Sequence, residues 1–210
     1  MIGVLTADLV GSTRLDTSSY HSTVNGLADY LGSLQNQTTL TFSVYRGDEF
    51  QIAFGQPEQA CKLTLQLKSW LASGHTVPPL QCTMSLAFDS GEMQGADPGL
   101  NNGLAYIRSG RKLETLRSAE LLIQTAGDQH APALQVICQQ LGYIMNRHSA
   151  RQAELVHQYL ASDFATHQSL AEQLGTSRQN VSERLRAAGA DLLPETITYI
   201  NSLLHSPTTE

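Results

Sequence analysis

Apolar and polar positions divide the chain into two regions with different periods. Residues 2–8 form a short apolar run that ends at Asp8 and is followed by the turn chemistry of Gly-Ser-Thr, which predicts a strand. From about Ser19 to Gln37 the apolar residues Val24, Leu27, Leu31 and Leu34 recur at helical spacing. Residues 39–46 and 50–54 form the two arms of a hairpin, with Val44, Ile52 and Phe54 reading as strand and Gly47 and Asp48 as the tip. Pro57 opens a second helix, with Ala60, Leu63, Leu67 and Trp70 on one stripe. Cys82, Met84, Leu86 and Phe88 alternate as a strand, and the glycine, proline and asparagine of "QGADPGLNNG" mark a loop. A helix from about Gly103 to Arg117, the strand "AELLIQTA" and a helix from about Gln129 to Asn146 complete the first region. The order β-α-β-β-α-β with an added helix and strand predicts an α+β, ferredoxin-like domain built on an antiparallel sheet.

After His148 the strand period disappears. The segment reads as short helices, and "QSLAEQLGTSRQNVSERLRAAG" predicts a helix, a glycine-containing turn and a second helix, with Ser177 as its N-cap and Gly189 as its C-cap. The change of period places one domain over residues 1–147, a helix-turn-helix domain over 148–206 and a frayed tail at 207–210. Leu170, Ala171 and Leu174 in the first helix and Val181, Leu185 and Ala188 in the second are the expected contact residues.

Composition narrows the setting. Hydrophobic residues make up 41% of 210, enough for a real core, and the net charge of -6 argues against indiscriminate coating of nucleic acid or anionic membrane. Cys61, Cys82 and Cys138 are widely spaced and odd in number, which fits buried thiols of a reducing compartment better than disulfides or a zinc site. The first apolar run is too short to span a bilayer and lacks a signal-peptide pattern, so a soluble, cytoplasmic protein without membrane partners is expected. The seven histidines show no metal-ligand spacing and are expected at the surface or in loops.

The chemistry gathers at two places. In "ADLVGST" an acid ends a buried strand, where a carboxylate is expensive unless paired or metal-bound, and the following turn offers backbone N–H groups and the Ser12 and Thr13 hydroxyls. In "RGDEF" two adjacent acids sit on the hairpin. In a β-α-β-β fold those places meet, so Asp8 and Asp48 would face one another and repel unless a cation joins them. Mg²⁺ carried by a nucleoside triphosphate suits such a site, since it keeps few protein oxygens and several phosphate oxygens. The plainer readings are a solvated turn for Asp48 and Glu49, a helix cap for Asp8, and an Arg111–Glu114 surface pair.

"TADLVGSTRL" resembles the first metal motif of class III nucleotide cyclases, and "RGDEFQ" resembles both their second metal turn and the GGDEF signature of diguanylate cyclases. With "NNGLAYIRSGRKLE" and the terminal helix-turn-helix, the blocks together resemble the bacterial SatD family, related in pattern to the cyclase and polymerase-palm group. The resemblance implies a palm fold with metal ligands at Asp8, Asp48 and the Leu9 carbonyl, two Mg²⁺ or Mn²⁺ ions, and a nucleoside triphosphate as ligand or substrate. It also implies phosphate contacts from Gly11, Ser12 and Thr13, catalytic roles for Glu49, Arg111 and Arg108, and a homodimer. Two positions depart from active cyclases. Val44 stands where a lysine helps to read adenine, and the fourth residue after Asn102 is Tyr106 in place of the transition-state arginine.

In a helix-turn-helix the start of the second helix meets base edges. Thr176, Ser177, Arg178, Gln179 and Asn180 cluster there, and Arg184 and Arg186 follow at positions that reach phosphates. The expected function is a DNA-binding regulator whose cyclase-like domain senses a Mg-nucleotide. The alternatives are a metal-dependent nucleotide cyclase or nucleotidyltransferase with a docking tail, and a degenerate palm serving as a dimerisation scaffold.

Overall fold

The computed structural model describes residues 1–45, 48–95, 98–127 and 129–205. Five strands and eight α-helices follow one another as β1 (Ile2–Val10), α1 (Thr17–Gln35), β2 (Leu40–Tyr45), β3 (Glu49–Phe54), α2 (Pro57–Ala72), β4 (Gln81–Asp89), α3 (Leu104–Leu113), β5 (Leu121–Gln124), α4 (Ala131–Met145), α5 (Ala150–Ala161), α6 (His167–Leu174), α7 (Arg178–Ala187) and α8 (Leu193–Leu204). The sheet order is β2-β3-β1-β4-β5. Among the first four strands each hydrogen-bonded neighbour pair is antiparallel, in the ferredoxin-like arrangement, but β5 pairs parallel to β4. The sheet is therefore mixed, not purely antiparallel as the element order alone suggested. The β4–α3–β5 connection is a helical crossover, which returns the chain in the same direction.

Local chemistry sets most helix ends. Asp16, and not Asp8, caps α1: its Oδ1 accepts from the amides of Ser18 and Ser19. Asp8 lies inside β1, which continues two residues further to Val10. Pro57 begins α2, and Ser149 with Gln152 forms a reciprocal capping box at α5. Thr166 and Ser177 cap α6 and α7, and Gly175 takes the left-handed conformation between them.

One face of β1, carrying Leu5, Ala7 and Leu9, packs with Leu27 and Leu31 of α1 and with α2. Gly3 lets α2 approach closely, because a Cβ there would stand 2.8 Å from Ala60 Cβ. On the opposite face Ile2, Val4 and Ala53 pack with Ala105 and Tyr106 of α3. Below them Thr6 Oγ1 is 2.8 Å from Ser109 Oγ and accepts a hydrogen bond from Gln51 Nε2 at 3.0 Å.

The helices after residue 148 are not marked off by a break in the core. Val156 and Leu160 of α5, Leu170 of α6, Val181 of α7 and Ile200 of α8 belong to the same apolar cluster as the sheet. This explains a departure from the expected amphipathic α2. Instead of one buried stripe, Ala60–Leu71 is buried almost throughout, because the sheet covers one side while α5 and α8 pack on the helix as well. Cys61, Cys82 and Cys138 are free, buried thiols. Among the described residues, no helix is long and apolar enough to cross a membrane.

Candidate functional site

Strand register brings the acidic residues together. Asp8 lies directly opposite Glu49 on β3 and opposite Thr83 on β4. Cross-strand partners in an antiparallel pair project to the same side of the sheet, so both carboxylates stand on the α3-covered face. The Leu9 amide donates to the Asp48 carbonyl at 2.9 Å, and Ser12 Oγ donates to Asp48 Oδ2 at 3.0 Å. Both bonds hold the hairpin end against β1 and the turn that follows it. Three carboxylates thus converge at one end of the sheet.

Their electrostatics are mutually unfavourable. Partial burial, then the Asp48 charge, then the Glu49 charge, raise the Asp8 carboxyl above its ordinary value. A cavity of about 530 Å³ opens beside Asp8, lined by Gly11, Glu49 and Thr83 from the sheet side and by Gly110 and Glu114 from α3. Its described lining contains no lysine, arginine or histidine. The last turn of α3 borders it, and a helix C-terminus adds partial negative charge. The cavity is therefore built to attract a cation.

The donor set fits Mg²⁺ or Mn²⁺, hard ions that prefer oxygen. Among the described residues no group of three His, Cys, Asp or Glu side chains makes a cation cage. A Mg²⁺ ion held by one or two carboxylates and completed by phosphate oxygens and water does not require such a cage. Leu9 points its side chain into the core and uses its N–H on Asp48, so only its carbonyl is left as a contributor.

Other expected site residues fall differently. Gly11 adopts φ 78°, the left-handed conformation that starts the 3₁₀ turn Ser12–Arg14. The amides of Arg14 and Leu15 close that turn, leaving those of Ser12 and Thr13 outside it. The Ser12 hydroxyl is engaged by Asp48, so the turn's remaining hydrogen-bond donors are amides and the exposed Thr13 hydroxyl. Arg108 does not reach the acidic cavity: its Nη1 pairs with Asp89 Oδ2 at 2.8 Å, beside the opposite end of β1. Arg111 is exposed, does not line the cavity and makes no ion pair with Glu114. Tyr106 is structural, donating its hydroxyl to the Glu92 carbonyl at 2.9 Å. Asn102 accepts from the Gly103 amide just before α3, at the helix end away from Asp8. Val44 is half-buried against the core on β2. Arg46 and Gly47 of the hairpin tip lie outside the described residues.

The C-terminal candidates share one feature. Thr176, Ser177, Arg178, Gln179 and Asn180 are all exposed, while Val181 and Leu185 anchor α7 from behind. Ser177 Oγ accepts from the Asn180 amide as the cap, and Gln179 Nε2 donates to Glu183. Arg184 Nη2 donates to the Arg151 carbonyl at 3.3 Å, and Arg186 is exposed.

Some polar features were not legible beforehand. His157, expected at the surface or in a loop, is half-buried on α5 in an aromatic stack that the exposed loop residue His75 completes. His75 stacks on Trp70, Trp70 on Tyr30, and His157 stands edge-on to both Tyr30 and His75, with burial lowering the His157 pKa. Lys68 on α2 is 3% exposed and donates to the carbonyls of Cys82 and Ala119. Thr6 could have been found in advance, because it lies two residues before Asp8 and so shares its face.

No family model matches the chain, and no curated protein matches it. Solved structures similar to it include the dimeric guanylyl cyclase domain of the RhoGC fusion protein from the aquatic fungus Blastocladiella emersonii, at TM-score 0.45 and 16% identity, covering 58% of this chain and 78% of that one. The guanylate cyclase domain of RhGC from Catenaria anguillulae in complex with GTP is similar at TM-score 0.45 and 14% identity, over 58% and 76%. The guanylyl cyclase Cya2 is similar at 0.43 and 16%, over 58% and 73%.

Proposed function

We propose that residues 1–147 form a divalent-metal-dependent nucleotide site of the cyclase or nucleotidyltransferase type. The observation that carries this reading is the register that sets Asp8 against Glu49, with Asp48 held alongside, in a cavity without a protein cation. Asp8, Asp48 and the Leu9 carbonyl would hold Mg²⁺ or Mn²⁺, and Glu49 would hold a second ion or a water molecule. The bound cation would supply charge neutralisation for a triphosphate and activation of an attacking hydroxyl. The residues themselves orient it: Ser12 fixes the Asp48 carboxylate, and the amides of Ser12 and Thr13 are donors for phosphate oxygens.

Arg108 is tied to Asp89 away from the acidic cavity, and no lysine, arginine or histidine among the described residues lines that cavity, so the cations needed for turnover would come from a second copy. The outer side of α3 and the preceding turn expose Leu100, Leu104 and Ile107, which supports a homodimer across that face. The test is incubation with Mn²⁺ and each nucleoside triphosphate, reading pyrophosphate release and, by calorimetry, binding. Release that disappears in Asp48→Ala supports an enzyme. Binding without release supports a sensor, and absence of binding removes both.

A second reading adds DNA binding by α6 and α7. It is favoured by the five exposed polar residues at the start of α7, backed by a buried stripe on the same helix. In a gel-shift assay with DNA from the protein's own promoter, Arg178→Ala should weaken the complex. Unchanged affinity would remove this reading.

A further inference from the structure

A second cavity, of about 600 Å³, runs along β5 between the end of α3 and α4, and its chemistry is opposite to that of the acidic one. We propose that this groove is a binding site for a small phosphate-bearing anion, separate from the carboxylate cluster.

Its α3 side carries Lys112 and, just beyond the helix, Arg117. Neither is in an ion pair among the described residues. Among the described residues that line the groove the one carboxylate, Glu120, accepts from the Arg117 backbone amide at 2.8 Å. Arg108 lines the groove too but is held by Asp89, so it contributes positive potential more than a free donor.

The other end lies where parallel strands β4 and β5 finish and α4 begins. Ligands of open parallel sheets bind outside the carboxyl ends of the strands, against a helix N-terminus. Helix α4 has 15 residues and no side-chain cap, and because Pro132 lacks an N–H its first-turn donors are the amides of Ala131 and Ala133. Anions are stabilised there by the helix dipole as well.

An independent observation marks this end as a ligand site. Thr125 lines the groove, is 4% exposed, and its hydroxyl finds no hydrogen-bond partner among the described residues. A buried hydroxyl without a partner is unfavourable unless something outside the chain completes it. Along the α4 wall Gln135, Gln139 and the exposed Tyr143 add amide donors and an aromatic surface, which suits an organic phosphate as well as free phosphate. The volume lies in the range of small-molecule sites.

The experiment is calorimetric titration in EDTA with two probes, inorganic pyrophosphate and adenosine monophosphate, against wild type, Lys112→Gln, Arg117→Gln and Thr125→Val. Omitting divalent cations keeps the carboxylate site out of the measurement, and Asp48→Asn serves as its control. Binding of either probe is expected, about tenfold weaker on loss of one charge-assisted hydrogen bond and unchanged in Asp48→Asn. Binding of both probes points to free phosphate chemistry, and binding of the nucleotide alone to an organic phosphate. Thr125→Val distinguishes a ligand role from a structural one. Its melting temperature should hold or rise, since an unpartnered hydroxyl is removed, while affinity falls. Absence of binding by both probes, or binding untouched by all three groove substitutions, would overturn the proposal.

Discussion

Lys68 provides a quantitative test of what the interior does to a buried charge. Its ammonium is 3% exposed, donates to two carbonyls and has no carboxylate partner among the described residues. Burial, partly opposed by the Cys82 thiol, draws its pKa from 10.5 down to about 8. A lysine with a depressed native pKa favours folding fully only above its unfolded value. That stability is lost as pH falls towards the native value, because in between the unfolded chain binds a proton that the native state does not. That lowering corresponds to roughly 3 kcal/mol at neutral pH. Replacement by Met keeps the length of the side chain and removes the titration. The quantity to measure is the difference in unfolding free energy between Lys68→Met and wild type, from urea denaturation under reductant at several pH values. The difference should shift against the variant by roughly 2–3 kcal/mol between about pH 7 and about pH 10, whatever constant offset the lost hydrogen bonds impose. Cys82 is itself pushed up to about 12, so it stays protonated in the native state over that interval. Two parallel pH profiles would refute the reasoning.

Three further outcomes are expected. Without divalent cations, Asp8→Asn should stabilise the protein by roughly 0.2–1 kcal/mol, the range for partly exposed charges screened by water, or about 1–4 °C by scanning calorimetry. Because the native pKa of Asp8 is raised, its favourable contribution is present below the ordinary aspartate value and is lost as pH rises through the native one, so the advantage of Asn should vanish in acid. Gly103 has φ 149° and a Cβ there would stand 2.4 Å from Gly91 Cα, so Gly103→Ala should cost at least about 2 kcal/mol in denaturant unfolding. Arg108→Met should lower stability by about 1–3 kcal/mol by leaving the mostly buried Asp89 without its partner, while Arg111→Met should leave unfolding unchanged.

The order of strands and helices was legible because period-2 and period-3.6 patterns are local, as were the cap at Ser177 and the hairpin that carries Asp48 and Glu49, whereas the capping box at Ser149 emerged only in the structure. The sequence also placed Asp8 near that hairpin, since a β-α-β-β chain has few ways to close. Direction and coverage were not local properties. That β5 runs parallel to β4 depends on where α3 packs, and that α2 is buried almost throughout depends on α5 and α8 joining the same core. The cations were misplaced for a similar reason. Arg108 lies on the expected helix, but α3 runs antiparallel to β4, so Arg108 meets Asp89, while Arg111 in the last turn, at the Asp8 end, is exposed and outside the cavity lining. Sequence by itself determined which residues could carry charge at each element; only the packing of α3 across the sheet decided which charges meet, because Coulomb energies depend on distances between elements far apart along the chain.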